Sequence, residues 1–169
     1  MGSPRSTPTA RCSGPDAPAH EPSALGKQIK EKTAESFRNG WFHSGDLGYM
    51  DDDGRLYVVD RKKDMIKTGG ENVASREVEE AIHLLDGVAE VAVFGVPHPV
   101  WVEAVTAVVV PKAGAELTAD LVIGHARSVL AGFKTPKVVV ITDALPKNPS
   151  GKILKRQLRD EYAHVAQDQ

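Results

Sequence analysis

The spacing of apolar and polar residues changes several times along the chain, and each change marks a boundary. Residues 1 to about 30 show no apolar period, hold five of the eleven prolines and lack any aromatic side chain. Such a stretch cannot bury enough apolar surface to offset its ordering entropy, so the pattern predicts a disordered leader over residues 1–31. From Lys32 the texture changes. Thr33 to Arg38 predicts a short helical turn stopped by Asn39-Gly40. Two apolar segments, Leu47 to Met50 and Arg55 to Val59, flank Asp51-Asp52-Asp53-Gly54. An Asp-Gly pair there predicts a β-hairpin, because Gly54 takes positive φ readily. A lone hairpin is marginal in water, so this one is expected to need a sheet beside it.

Further on, Ser75 is placed as a helix N-cap, with Glu77, Glu79 and Glu80 in the early turns where the helix dipole favours anions. Val78, Ala81, Ile82 and Leu85 recur at three- and four-residue steps, and Gly87 closes the helix. Val88 to Phe94 and Ala104 to Val110 are rich in β-branched residues and predict strands. A second helix is expected from Thr118 to near Gly132, with Leu117 and Val122 at staple positions. A third strand over Lys137 to Ile141 and a last helix from Lys152 to about His164 complete the order. The expected fold is α+β: a small mixed three-stranded sheet with packed helices, preceded by the hairpin and the leader.

Length and charge narrow the functional classes. A chain of 169 residues is about one domain. Its 21 Lys and Arg against 23 Asp and Glu disfavour a nucleic-acid or acidic-membrane partner. Cys12 is the only cysteine, which rules out an intramolecular disulfide and a cysteine-rich zinc site. No apolar run reaches the roughly 20 residues of a membrane helix, and no signal-peptide core is evident, so a soluble cytoplasmic protein is expected. His43, His83, His98 and His125 are scattered without metal-ligand spacing, so no metal site is expected. His98, between two prolines, reads as a turn residue and Trp101 as core.

Three islands carry candidate chemistry. Between Val59 and Val73, the cations Arg61, Lys62, Lys63 and Lys67 lie beside Gly69-Gly70, a combination suited to phosphate groups and equally to a solvated basic face. Strand alternation would aim Lys63 and Lys67 to the same side. Asp46, after Ser44-Gly45, can accept hydrogen bonds from a ribose diol or cap a local turn. Pro149-Ser150-Gly151-Lys152 is not a phosphate-binding P-loop, since the first glycine and the hydroxyl residue after the lysine are missing. It is a loop stiffened by Pro146 and Pro149 that presents a lysine, or simply the start of a helix.

Taken together, these islands resemble the adenylate-forming enzyme superfamily from about Lys32 to Tyr162. The segment from Thr33 to Asp46 resembles a late motif of the large domain, Asp60 to Val73 the hinge motif, and Leu145 to Lys152 the catalytic-lysine motif. The Gly-Gly-Glu-Asn form is most similar to fatty or medium-chain acyl-CoA synthetases. The resemblance implies that Asp46 and Arg61 contact the AMP ribose, that Lys63 is the hinge and that Lys152 serves adenylation. It implies that Lys67, Gly69 and Gly70 face the active site during thioester formation. ATP or AMP, CoA and an acyl substrate are implied, with Mg²⁺ for the whole enzyme and no ligand for it in this chain.

Nothing here resembles the phosphate loop or acyl pocket of the large domain. The chain is therefore expected to be the C-terminal portion of a fatty-acyl-CoA ligase, inactive alone. Residues 32–62 would be the tail of the large domain, 63–164 the mobile domain and 165–169 a tail. The implied partner is a separately encoded large domain. The alternatives are a non-catalytic docking module and a truncated product without function. Val102 stands where many members of the family have Gly.

Overall fold

A computed structural model describes residues 24–166, with side chains from Ile29 onward. Most of the expected leader, residues 1–23, lies outside the described residues, as does the end of the tail at 167–169. The described residues form two compact units, divided between Ser44 and Gly45.

In the first unit, helix α1 (Ala24–Ser36) takes in the last part of the expected leader. It runs into a short hairpin, β1 (Phe37–Arg38) and β2 (Trp41–Phe42). The helical turn expected over residues 33–38 thus gives way to strand at Phe37. Asn39 and Gly40 both take positive φ, at 55° and 77°, which makes a two-residue hairpin turn of the pair rather than a plain helix stop.

The second unit opens with the expected hairpin, β3 (Asp46–Met50) antiparallel to β4 (Leu56–Arg61). Gly54 takes φ 79°, and the Asp51 carboxylate accepts from the Arg55 amide at 2.8 Å. A five-stranded sheet follows: β5 (Ile66–Thr68), β6 (Glu71–Val73), β7 (Val88–His98), β8 (Val102–Pro111) and β9 (Val138–Ile141). The order is β6-β5-β8-β7, with β9 parallel to β8. Strands β7, β8 and β9 are the three expected, and the sheet is mixed as expected. The other two come from the glycine-rich stretch, where Gly69 and Gly70, at φ 58° and 85°, form the turn between them. The long strands also exceed their expected limits, with β7 continuing through Pro97 and His98. It is an edge strand, where a residue without an amide donor is tolerated.

Helices α2 (Ser75–His83) and α3 (Ala119–Val129) bring Val78, Ile82, Val122 and Ala126 against one sheet face, where Val91, Val93, Val105, Ala107 and Val109 lie. Alternate residues Ala92, Phe94, Val96, Ala104 and Val108 form a second core with Leu145 and with Leu158 of α4 (Lys155–Glu161). Burial on both faces explains why β7 and β8 read as nearly unbroken apolar runs.

Two helix starts differ from expectation. Thr118 caps α3 as expected, its side chain accepting from the Leu121 amide. At α2, however, Ala74 occupies the N-cap and Ser75 is buried inside the helix, donating to the Asp60 carboxylate at 3.0 Å. The same carboxylate oxygen accepts from the Arg76 amide at 3.3 Å, so a side chain from β4 does the work a local cap would do. Helix α4 starts at Lys155 rather than Lys152, because residues 147–153 form a turn of their own.

Val102 has φ 70°, a region that penalises a β-branched residue. Its side chain is 68% exposed, so little burial offsets the strain. Such strain is on the order of 1–3 kcal/mol, against roughly 0.5–1 kcal/mol for the extra backbone entropy of glycine. Val102→Gly is therefore expected to raise the urea midpoint by a stabilisation of about 1 kcal/mol, with an unchanged m-value. A lowered midpoint would show that contacts of the valine outweigh the strain.

Candidate functional site

The end of β4, the turn after it, the 147–153 loop and α4 enclose a cleft of about 570 Å³. Six of its lining residues are cationic: Arg61, Lys63, Lys152, Lys155, Arg156 and Arg159; Asp64 is the one acid. Arg61 ends β4, where its ladder partner is Asp46, and the two side chains form an ion pair at 3.3 Å. The candidate ribose pair is thus assembled beside the cleft. Lys63 lies in a turn closed by the Asp64 and Met65 amides donating to the Arg61 carbonyl, at 2.9 and 3.2 Å.

Lys152 is exposed on a loop organised by Asn148, a residue that the sequence reading passed over. The Asn148 side-chain oxygen accepts from the Ser150 amide and hydroxyl and from the Lys152 amide, at 3.1, 2.8 and 2.8 Å. Gly151 takes φ 82° to close the turn. Lys147 pairs across the loop with Ile153, and its ammonium lies 2.7 Å from Glu90, near the start of β7. Loop rigidity therefore comes from an Asx turn and an ion pair as well as from the prolines. The signal was an Asn followed by Pro-Ser-Gly.

Lys67, Gly69 and Gly70 line a different surface. The Lys67 amide donates to the Glu103 carboxylate at 2.7 Å, and the Gly69 amide to the Trp101 carbonyl at 2.9 Å. A Cβ on Gly69 would lie 3.2 Å from the Trp101 ring, so close approach as well as φ demands glycine here. Trp101, expected in the core, is 40% exposed, with the Lys137 ammonium 5.4 Å from its ring centroid. His98, expected in a turn, is instead the last residue of β7, and its Nδ1 closes the turn that follows by accepting from the Val100 and Trp101 amides. The strand alternation expected to aim Lys63 and Lys67 to one side is absent, because the turn after Arg61 interrupts it. The lysine loop is tied at Glu90 and the Gly69-Gly70 turn lies beyond His98. At about 3.3 Å per residue, these two points of β7 are roughly 26 Å apart.

Ion pairs fasten α4 to the turn after β4 and to α2. Arg159 meets Asp64 at 2.9 Å, and Lys155 meets Glu79 at 2.7 Å while donating to Ser75 Oγ. Glu79 also accepts from the Val93 amide at 2.8 Å, which satisfies a donor on the sheet edge. The hydrogen bond and charge of Glu80 hold the Arg76 guanidinium above its usual range. Among the described residues, no group of three or more His, Cys, Asp or Glu is placed to hold a metal, and no helix is long and apolar enough to cross a membrane.

Residues 77–152, which include most of the sheet and end on the exposed lysine, match the AMP-binding enzyme C-terminal domain family. The chain carries an AMP-binding enzyme C-terminal domain. It is 50% identical over 132 residues to a feruloyl-CoA synthase from Amycolatopsis, covering 78% of this chain and 27% of that protein. It is 46% identical over 133 residues to the long-chain-fatty-acid–CoA ligase FadD13 of Mycobacterium tuberculosis, covering 79% and 26%. The structure of ATP-bound MatB from Rhodopseudomonas palustris superposes with a TM-score of 0.76 at 42% identity, over 83% of this chain and 28% of that one. The chain thus spans about a quarter of the length of its relatives, at their C-terminal part. Its homologues are acyl-CoA ligases, and its α+β architecture is that of the C-terminal domain of ATP-dependent adenylate-forming enzymes.

Proposed function

We propose that the chain is the mobile C-terminal domain of an AMP-forming fatty-acyl-CoA ligase. Such a ligase joins a carboxylate to AMP with release of diphosphate, then passes the acyl group to CoA. Residues 63–164 would move as the mobile domain, and residues 32–62 would be the tail of a large domain that is carried on the same or a separate polypeptide. One observation carries the proposal: the loop that bears Lys152 is tied through Lys147 to Glu90, near the start of β7, while the Gly69-Gly70 turn bonds Trp101, just past the other end of that strand, and these two ends of β7 are roughly 26 Å apart. A rigid body with two chemical groups anchored at such distant points can present both to one bound adenylate only by turning as a whole. Lys63, in the turn that joins β4 to β5, would be the pivot.

In this reading Lys152 serves adenylation, and Lys67 with the two glycines serves thioester formation. The Asp46–Arg61 pair fits a ribose diol, offering a carboxylate acceptor beside a guanidinium donor. ATP and CoA would supply the AMP and the thiol, and Mg²⁺ would be held by the large domain. Fatty acids are the favoured acids, following the Gly-Gly-Glu-Asn form. Hydroxycinnamates form the second arm of the test, because a feruloyl-CoA synthase is among the relatives.

The test is a hybrid in which this chain replaces the C-terminal domain of the Mycobacterium tuberculosis ligase. The hybrid is expected to form acyl-CoA and AMP from a fatty acid, ATP and CoA, whereas neither part does so alone. A hybrid that folds and binds ATP but forms no acyl-AMP would favour a docking module over an enzyme domain.

A further inference from the structure

The six cations of the cleft are not equivalent. Arg61, Lys155 and Arg159 are neutralised by Asp46, Glu79 and Asp64, at 3.3, 2.7 and 2.9 Å. Among the described residues, Lys63, Lys152 and Arg156 make no ion pair or side-chain hydrogen bond, although the chain as a whole carries a net charge of −2. Three uncompensated cations converging on one cleft in a slightly acidic chain form a local anion trap rather than part of a general basic surface. They also stand on different elements: Lys63 on the turn after β4, Lys152 on the 147–153 loop and Arg156 on α4.

We propose that this cleft binds a diphosphate group, with Lys63, Lys152 and Arg156 as its ligands. A diphosphate has two phosphoryl groups and can meet cations on both walls at once, whereas orthophosphate must choose. Arg156 can take two oxygens of one phosphoryl group through its planar fork, while the lysines act as point charges. Bound there, the anion ties the turn carrying Lys63 to α4, reinforcing what Arg159 and Asp64 already do. The link to catalysis rests on the function proposed above. Diphosphate is the product of the first half-reaction, so the cleft would hold that product on this chain's own cations.

The experiment titrates the 169-residue chain with inorganic diphosphate at low salt, following backbone amides by NMR. Shifts are expected at residues 61–64 and 151–159. Lys63→Gln and Arg156→Gln should each weaken binding about tenfold, the usual scale for a charge-assisted hydrogen bond. Lys112→Gln, at an exposed lysine away from the cleft, should leave binding unchanged. ADP binding as tightly as diphosphate would support a site that reads the diphosphate of a nucleotide; a preference for inorganic diphosphate would support a product site. Orthophosphate binding equally well, or shifts indifferent to Lys63 and Arg156, would mean an adventitious ion only and would overturn the proposal. Absent diphosphate binding with an active hybrid ligase overturns this site alone, while binding with an inactive hybrid overturns the proposed function alone.

Discussion

Lys152→Ala, introduced into the hybrid ligase, should slow acyl-AMP formation by on the order of 10² to 10³. CoA transfer from pre-formed acyl-AMP should fall by less than about tenfold. Adenylation brings a carboxylate to a phosphoryl group, so two anions approach and charge builds on the phosphoryl oxygens; a positioned cation relieves both. At about 4 Å and an effective dielectric near 20, two unit charges interact by roughly 4 kcal/mol. That is an upper guide worth about a thousandfold in rate. The Asn148 turn fixes the backbone from which the ammonium extends, and no protein carboxylate competes for it among the described residues. The second half-reaction should be spared because the lysine would have turned away by then. Rapid-quench measurement of the two steps separates them. A uniform loss in both would make Lys152 a folding residue, and near-normal adenylation would remove the loop from the mechanism.

Phe94→Ala should act differently, lowering stability by about 3–5 kcal/mol and taking both half-reactions down together. Phe94 heads the fully buried side chains by volume and has no exposed surface. It lies in the core that seats Leu145 and Leu158, so the cavity would open beneath the lysine loop and α4. Whole domains are stable by only about 5–15 kcal/mol, so the loss should bring the chain close to unfolding at 37 °C. Thermal denaturation should show a Tm lower by more than about 10 °C. Phe94→Leu should recover much of it by refilling the space. A small shift for Phe94→Ala would mean that the site collapses around the missing ring.

The periodic parts of the fold were legible in the sequence: the β3–β4 hairpin from its Asp-Gly turn, β7 and β8 from their β-branched runs, and α2 and α3 from their apolar stripes. The short strands β5 and β6 were not, since three residues cannot display a period. Trp101 was misplaced because a contact with Gly69, 32 positions earlier, decides its setting, and no local pattern records that. Asp60 was missed as the cap of α2 for the same reason, acting from 16 residues upstream. On the cleft, Lys63 and Lys152 came from motifs and Asp46 with Arg61 from their place in them. Arg156 and Arg159 looked like ordinary helix-surface cations, and only the packing of α4 against the turn after β4 gives them a common address. Glu103 carried no local sign of its bond to Lys67.

Strands β7 and β8 are joined by three residues, Pro99 to Trp101, and paired along almost their whole length. Closing so short a loop loses little chain entropy, whereas the parallel partner β9 must wait for a crossover through α3. The order of assembly follows from that difference, because β9 has no edge to join until the 88–111 ribbon exists. Loop 147–153, hung from Glu90 on that ribbon, can take its final shape only after the ribbon has formed. The lysine proposed for adenylation is thus among the last parts of the chain to find its place, and the strained residue at position 102 opens β8, directly after the turn where the process begins.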